Sequence, residues 1–184
     1  MKIIDTPSPN SSGSLVKPSL IVMHWTGDVS DAGAVSWLTN PASKASAHFV
    51  IGRTGVVWQL VPTHKVAWHA GVSSCNGQVG CNQFSIGIEM VCAGEVLQSG
   101  ANYRTKGTGK LVLKTDVVFA DGKCYQRYTQ LQLEALQELV LGLVAELPSI
   151  KEIVGHSDIA PGRKSDPGPH FPFAKFRSLI ESRE

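Results

Sequence analysis

The chain is organised around one segment, Gly155-His156-Ser157-Asp158-Ile159-Ala160-Pro161-Gly162-Arg163-Lys164-Ser165-Asp166-Pro167-Gly168-Pro169. Glycine and proline are too frequent in it for a helix, so we expect an ordered surface loop. Helical patterns on both sides indicate a rigid frame, and loops held in that way often carry function. The segment concentrates a histidine, a lysine and two acidic residues, which makes it the first candidate for a functional site.

The totals restrict the class of protein. With 184 residues, of which 42% are hydrophobic, the chain is long enough for one domain with a sizeable core. The net charge of +2 is too small to indicate nucleic-acid binding. No apolar run approaches the roughly 20 residues that cross a bilayer, so we expect no membrane insertion. The N-terminus lacks the apolar core of a Sec-type signal peptide, and we therefore expect synthesis in the cytoplasm.

The cysteines leave one question open. None of Cys75, Cys81, Cys92 and Cys124 belongs to a Cys-x-x-Cys pair, which argues against a cysteine-based zinc ribbon. A short flexible segment separates Cys75 from Cys81, so a disulfide between them is compatible with work outside the cytoplasm. Free thiols in a loop are an equally good interpretation.

Short apolar runs and alternating patterns predict an α/β domain. The predicted strands lie at 20–23, 47–51, 56–61, 84–89 and 153–154. The predicted helices lie at 31–39, 129–147 and 172–182. The helix at 129–147 has the clearest signal, because Thr129 and Gln132 have capping-box spacing and a continuous apolar stripe follows them.

Two regions have weaker patterns. Residues 1–18 are rich in proline and serine and are predicted to form an N-terminal strap before the core at 19–180. Residues 93–127 are predicted to form extra strands or an extended flap inserted into the domain. No repeat and no change of composition marks a second domain, so we expect the whole chain, 1–184, to form one domain.

Three residues that are distant in sequence are candidates for a metal site. His24 ends one predicted strand and His156 follows another, so both could point into one cleft, with Asp166 on a chain stiffened by prolines. Histidine nitrogen and carboxylate oxygen suit zinc, and a catalytic zinc has three protein ligands and one open position. The spacing alone leaves two interpretations open, a zinc site or structural histidines at strand ends.

Several segments together resemble a known family. They are Val22–Thr26, Ala47–Ile51, Ala67–Gly71, Ser85–Glu89 and Gly155–Pro169, and they span most of the chain in the order expected. The chain resembles the zinc-dependent N-acetylmuramoyl-L-alanine amidases, which include an AmpD-like branch and a phage lysozyme branch and are related to the peptidoglycan recognition proteins. The resemblance implies a central mixed β-sheet of about five strands flanked by helices. The insert at 93–127 is longer than in compact members.

The resemblance also implies roles for individual residues. His24, His156 and Asp166 match the zinc ligands of the AmpD-like branch. Glu89 lies on the strand face opposite the large apolar residues, and its implied role is the general base. Lys164 would face the oxyanion, since Lys164 and Asp166 point the same way in an extended segment.

Trp68 and His69 would line the substrate groove. Each of these assignments has a simpler interpretation: Glu89 as an acid at a strand end, Lys164 as a solvated lysine, and Trp68 and His69 as core residues. Of the other polar residues, we expect His48 to pack in the core, His64 to lie in an exposed turn and Asp158 to brace the loop. His170 has no predicted role.

The implied reaction is hydrolysis of the amide between N-acetylmuramic acid and L-alanine, in polymeric peptidoglycan or in muropeptide fragments. The protein would then act on fragments in the cytoplasm, or on the cell wall after release by another route, and we expect a monomer. One alternative is a peptidoglycan-binding module without catalysis, which typically lacks a zinc ligand. Another is an unrelated α/β domain with incidental histidines. The filled ligand positions and Lys164 favour the enzyme.

Overall fold

A computed structural model describes residues 2–181. Within that range the strands are β1 Ile3–Asp5, β2 Ser11–Ser14, β3 Leu20–Trp25, β4 Phe49–Ile51, β5 Val57–Gln59, β6 Lys65–Ala67, β7 Ser74–Cys75, β8 Gln78–Val79, β9 Ser85–Met90, β10 Glu95–Ser99, β11 Asn102–Thr105, β12 Leu111–Val112, β13 Val117–Ala120, β14 Lys123–Gln126 and β15 Glu152–Gly155. The α-helices are α1 Asp31–Thr39, α2 Gln130–Glu146, α3 His156–Ile159 and α4 Phe173–Glu181. Short 3-10 helices lie at Pro41–Ser43, Cys81–Phe84 and Lys114–Asp116.

The centre of the domain is a six-stranded mixed sheet in the order β1-β5-β4-β9-β3-β15. Only β4 and β5 pair antiparallel, as the predicted hairpin requires, and the other neighbours pair parallel. The α/β class and the mixed sheet are therefore confirmed, with one strand more than predicted. The additional strand is β1, which comes from the segment expected to be a strap and pairs with β5.

The two faces of the sheet have different environments. Side chains alternate along β3, so Ile21 and Met23 join the main core with Leu136 of α2 and Phe176 of α4. The predicted capping box of α2 is present, and Gln132 is buried there. The opposite face carries smaller apolar clusters and leaves room for a cleft. Hydrophobic burial against the helices thus fixes which side chains point into that cleft.

Residues 93–127 form a second sheet of five antiparallel strands, in the order β12-β11-β10-β14-β13. This confirms the expectation of extra strands. A small core of Ala93, Val96 and Val112 stabilises it. The Lys110 Nζ atom lies 2.8 Å from both carboxylate oxygens of Asp28, which joins this sheet to the loop after β3.

The segment after β15 is mostly irregular, but it begins with the single helical turn α3, where we expected only loop. The turn forms because the Gly155 N–H donates to the Asp158 carboxylate at 2.8 Å. The bracing role predicted for Asp158 is therefore confirmed. Tyr128 Oη donates to the Pro167 carbonyl at 2.7 Å, and the His170 ring stacks on Tyr128 at 5.1 Å between centroids. These contacts fix the loop to the start of α2.

Other predictions can be compared directly. His48 is buried and makes two hydrogen bonds in the core, and His64 lies in an exposed turn, as expected. All four cysteines are free thiols, which is the second of the two interpretations given for Cys75 and Cys81. Among the described residues, no helix combines the length and apolar character needed to cross a membrane.

Candidate metal centre

Three buried side chains converge at one edge of the central sheet. His24 Nδ1 lies 2.9 Å from His156 Nδ1, and Asp166 Oδ2 lies 3.0 Å from each of these nitrogens. The residues are 1%, 3% and 6% exposed, respectively. They are the three predicted ligands, and they are the group of potential metal ligands found among the described residues.

The topology explains why residues so distant in sequence meet. β3 and β15 are parallel neighbours, with Met23 paired to Gly155, so the next residues, His24 and His156, emerge at the same sheet edge. Asp166 returns to that edge because its carbonyl accepts from the Ser157 N–H at 2.9 Å. The carboxyl ends of parallel strands commonly carry sites in open α/β sheets.

The outer nitrogens of both histidines are also engaged. His156 Nε2 lies 3.1 Å from the Ala70 carbonyl oxygen, and His24 Nε2 lies 3.0 Å from His69 Nδ1. A carbonyl can only accept, so His156 carries its proton on Nε2 and leaves Nδ1 bare in the neutral ring. Such outer contacts orient imidazole ligands in metalloproteins.

The protonation states favoured for Asp166 and His24 suit the binding of a metal cation. Burial alone would raise the pKa of Asp166, but contacts with the His156 and His24 imidazoles outweigh it and hold that pKa well below its usual range. Burial lowers the pKa of His24 below 6.5, although Asp166 opposes the shift. An ionised carboxylate and neutral imidazoles are the forms that bind metals. Lone-pair atoms that face one another this closely fit a divalent transition-metal ion.

Glu89 lies beside this group on β9. Its Oε2 atom is buried and has no hydrogen-bond partner among the described residues. Burial raises the pKa of Glu89 well above 4.5, and the nearby Asp166 charge adds to the rise. A desolvated carboxyl with a free oxygen that faces a cleft is suited to accept and return a proton.

All the predicted site residues line one open cleft with a volume of about 640 Å³. Lys164 is exposed and reaches the cleft beside Asp166. Trp68 is half-buried, and its Nε1–H donates to Ser12 Oγ at 3.1 Å. His69 is 9% exposed, and both its ring nitrogens contact protein atoms. The substrate-binding roles of Trp68 and His69 stay predictions.

Sequence reasoning missed several residues at the cleft. Trp37 lies at the rim of the cleft on α1 and is 60% exposed. An aromatic residue on the polar face of a predicted helix is the signal that could have identified it. Thr108 lies in the turn between β11 and β12, so the insert forms part of the cleft wall. Gly87 on β9 is a third such residue. A Cβ there would lie 2.4 Å from the His69 ring, so glycine makes room for that ring.

Comparison with known proteins gives consistent matches. A model of a protein family described as N-acetylmuramoyl-L-alanine amidase matches residues 14–169. The chain is 38% identical over 138 residues to the 1,6-anhydro-N-acetylmuramyl-L-alanine amidase AmpD of Citrobacter freundii. That alignment covers 74% of this chain and 58% of AmpD, so the chain spans less than two thirds of that relative.

Solved structures agree with the sequence matches. A crystal structure of an AmpD derivative superimposes with a TM-score of 0.71 and 32% identity, covering 97% of this chain and 94% of that one. AmiD from E. coli, in complex with the substrate anhydro-N-acetylmuramic acid-L-Ala-D-gamma-Glu-L-Lys, gives 0.67 and 28% identity. That match covers 94% of this chain and 58% of AmiD. The mixed sheet and its flanking helices are thus shared with both proteins.

Proposed function

Because the chain belongs to the N-acetylmuramoyl-L-alanine amidase family, we propose that it is a zinc-dependent hydrolase of peptidoglycan fragments. The bond cleaved is the amide between the lactyl group of N-acetylmuramic acid and L-alanine. The observation that carries the proposal is the convergence of His24, His156 and Asp166, which leaves bare donor atoms 2.9–3.0 Å apart in a buried corner of an open cleft.

The donor set fits zinc in kind and in spacing. Zinc takes histidine nitrogen and carboxylate oxygen as ligands at ~2.0–2.2 Å, and a tetrahedral arrangement sets such donors roughly 3.3 Å apart. The observed separations of 2.9–3.0 Å are close to that value. Three protein ligands at the edge of a cleft leave a fourth position on the side open to solvent and substrate, as catalytic zinc sites require.

Zinc at this position would polarise the scissile carbonyl and lower the pKa of water towards ~7. Glu89 then has two tasks, to take a proton from the attacking water and to deliver it to the nitrogen of the leaving L-alanine. Its raised pKa serves the second task, because burial favours the protonated form of the carboxyl, which can donate the proton. The products are a muramic acid carboxylate and a peptide with a free amine.

Lys164, which reaches the cleft beside Asp166, supports the same reaction. Its ammonium group lines the cleft that contains Glu89 and Asp166, and it is the cation closest in sequence to a ligand. A fixed positive charge is most effective where negative charge develops in the transition state, here on the carbonyl oxygen. Trp37 and Trp68 give the cleft an aromatic rim that can pack on the substrate.

The relatives favour fragments as the substrate. The names of AmpD and of the AmiD complex specify anhydromuramyl compounds, which are soluble pieces of peptidoglycan. A binding module without catalysis is the second candidate considered. A binding module does not need three potential metal ligands, a desolvated acid and a lysine in one cleft. This chain has all of them in one cleft, which favours the enzyme.

The experiment compares two substrates and two metal states. The purified protein is stripped with a chelator and reloaded with zinc, then incubated with an anhydro-muropeptide or with intact sacculi, and the products are identified by mass spectrometry. We expect anhydromuramic acid and a peptide beginning with L-alanine, only in the zinc-loaded sample and faster from the fragment. Metal-independent binding to sacculi without any cleavage would establish the module instead.

A further inference from the structure

The outer side of the metal group rests on one dipeptide, His69-Ala70. The side chain of His69 contacts His24, and the main-chain carbonyl of Ala70 contacts His156. Adjacent residues therefore contact two histidines from different elements, His24 on β3 and His156 at the start of α3. Neither contact is part of the cleft chemistry described above, and both are buried.

A series of hydrogen bonds connects the Cys81 carbonyl to Ser85, His69 and His24. The donor in each bond can be assigned by starting from the Cys81 carbonyl. Ser85 Oγ lies 2.5 Å from the Cys81 carbonyl, which can only accept, so the hydroxyl proton of Ser85 points there. Ser85 Oγ must then accept from His69 Nε2, at 3.2 Å. The proton of the neutral His69 ring is thereby on Nε2, and its Nδ1 is bare. His24 donates its Nε2–H to that Nδ1 and keeps its own Nδ1 free for the metal.

Two further features hold the dipeptide. Asn82 Oδ1 accepts from the main-chain N–H of His69 at 3.1 Å and from that of Ala70 at 2.8 Å. Gly87 on β9 leaves the space that the His69 ring occupies, since a Cβ would lie 2.4 Å from that ring. The position of His69-Ala70 is thus fixed through its main chain and through its side chain, independently of any metal.

We propose that His69, Ser85 and Asn82 are positioning residues for the metal ligands. Ser85 and His69 select the tautomer of His24, and Asn82 holds the dipeptide whose side chain and carbonyl orient both histidines. The inference rests on the metal site of the proposed function, but it concerns metal affinity and not the bond cleaved. Loss of an outer hydrogen bond to a ligand typically costs 10–100-fold in metal affinity or activity.

The test measures zinc dissociation constants by competition with a chromophoric chelator. His69→Phe keeps an aromatic ring without an acceptor and should weaken zinc binding roughly 10–100-fold. Ser85→Ala should weaken it in the same direction, and so should Asn82→Leu. Asn82→Asp retains an oxygen acceptor for both N–H groups and should bind zinc as the wild type does. Wild-type affinity in His69→Phe and Asn82→Leu would overturn the proposal.

A matched control separates positioning from general loss of stability. Leu143 is a buried residue of α2 in the main core, which packs on the face of the sheet opposite the cleft. Leu143→Ala should lower the melting temperature and leave the zinc dissociation constant unchanged. If zinc affinity falls in all variants in proportion to their melting temperatures, His69 and Asn82 act only on stability and the proposal is wrong.

Nuclear magnetic resonance gives a readout that does not depend on folding stability or on activity. Two-bond proton–nitrogen spectra of the zinc-loaded protein distinguish protonated from bare imidazole nitrogens. We expect the proton on Nε2 in His24, His69 and His156. A proton on His69 Nδ1 would contradict the proposal. A wild type that binds zinc with these tautomers but cleaves no muropeptide would refute the proposed function and leave this inference intact.

Discussion

His24 on β3 and Glu89 on β9 are direct neighbours across a pair of parallel strands. Side chains at paired positions of adjacent strands point to the same face of the sheet. The proposed metal ligand and the proposed general base are therefore held side by side by main-chain hydrogen bonds and not by a flexible loop. This relationship predicts that the two residues can be separated by mutation into a metal-binding role and a proton-transfer role.

Substitutions at Asp166 and Glu89 should have different effects. Asp166→Ala removes a metal ligand and should abolish stoichiometric zinc binding together with activity. Glu89→Gln keeps the shape of the side chain and should leave zinc content at the wild-type level while it lowers kcat by roughly 10²–10⁴-fold. Metal analysis of the purified variants and steady-state kinetics with an anhydro-muropeptide measure the two effects. Full turnover by Glu89→Gln would exclude Glu89 as the base.

Removal of the Lys164 charge should lower kcat and leave zinc affinity unchanged. Lys164→Met should lower kcat by roughly 10²–10³-fold, as loss of a single oxyanion-stabilising group does. Zinc affinity should not fall, because Lys164 is not a ligand. Lys151→Met is the matched control, since Lys151 is exposed and precedes β15 at the end away from His156. Equal losses of activity in both variants would show a general effect of surface charge.

The exposed indole of Trp37 should contribute to substrate binding. A contact with an aromatic ring is worth about 0.5–1.5 kcal/mol, so Trp37→Ala should raise KM for a muropeptide roughly 2–10-fold with little change in kcat. The side chain is 60% exposed, and its removal should therefore leave the melting temperature unchanged. Leu131→Ala, at an exposed position on α2, serves as the control. An unchanged KM would remove Trp37 from the substrate-binding surface.

The free energy of unfolding should decrease as the pH is lowered, because His48 is buried in its neutral form. Burial lowers the pKa of His48 to about 4, whereas the unfolded chain has a value near 6.5. The unfolded state thus binds more protons between these values, so the contribution of His48 is complete above pH 6.5 and is lost as pH falls towards about 4. The shift corresponds to about 3 kcal/mol.

Urea unfolding of the metal-free protein between pH 7 and pH 4.5 tests the contribution of His48. The metal-free form is used because release of zinc at low pH would add its own dependence. The free energy of unfolding of His48→Gln should change less with pH than that of the wild type. Parallel curves for the two proteins would mean that His48 is not kept neutral in the folded state.

Much of the site could be predicted because its residues stand in strong local patterns. The apolar run before His24 and the proline-stiffened segment around Asp166 indicated candidate ligands, and the resemblance to the amidases implied their roles. The amphipathic pattern and the capping box identified α2. The pairing of His24 with Glu89 could not be predicted, because strand order depends on contacts between distant parts of the chain.

Other features lacked a local signal. Ile3 and Ile4 of β1 are 40% and 39% exposed, so this edge strand does not show the alternation of a half-buried strand. The turn α3 forms through one carboxylate contact in a segment whose glycines and prolines favour a loop. The bonds that link His24 to Ser85 depend on ring orientation, and a one-dimensional pattern carries no information about that.

The proposed function requires one zinc ion bound by two imidazoles and one carboxylate. Anomalous diffraction at the zinc edge, from crystals of the zinc-loaded protein, tests this directly. The account predicts one strong peak at ~2.0–2.2 Å from His24 Nδ1, His156 Nδ1 and an Asp166 carboxylate oxygen. A map without a peak there, with the three side chains turned away from one another, would contradict it.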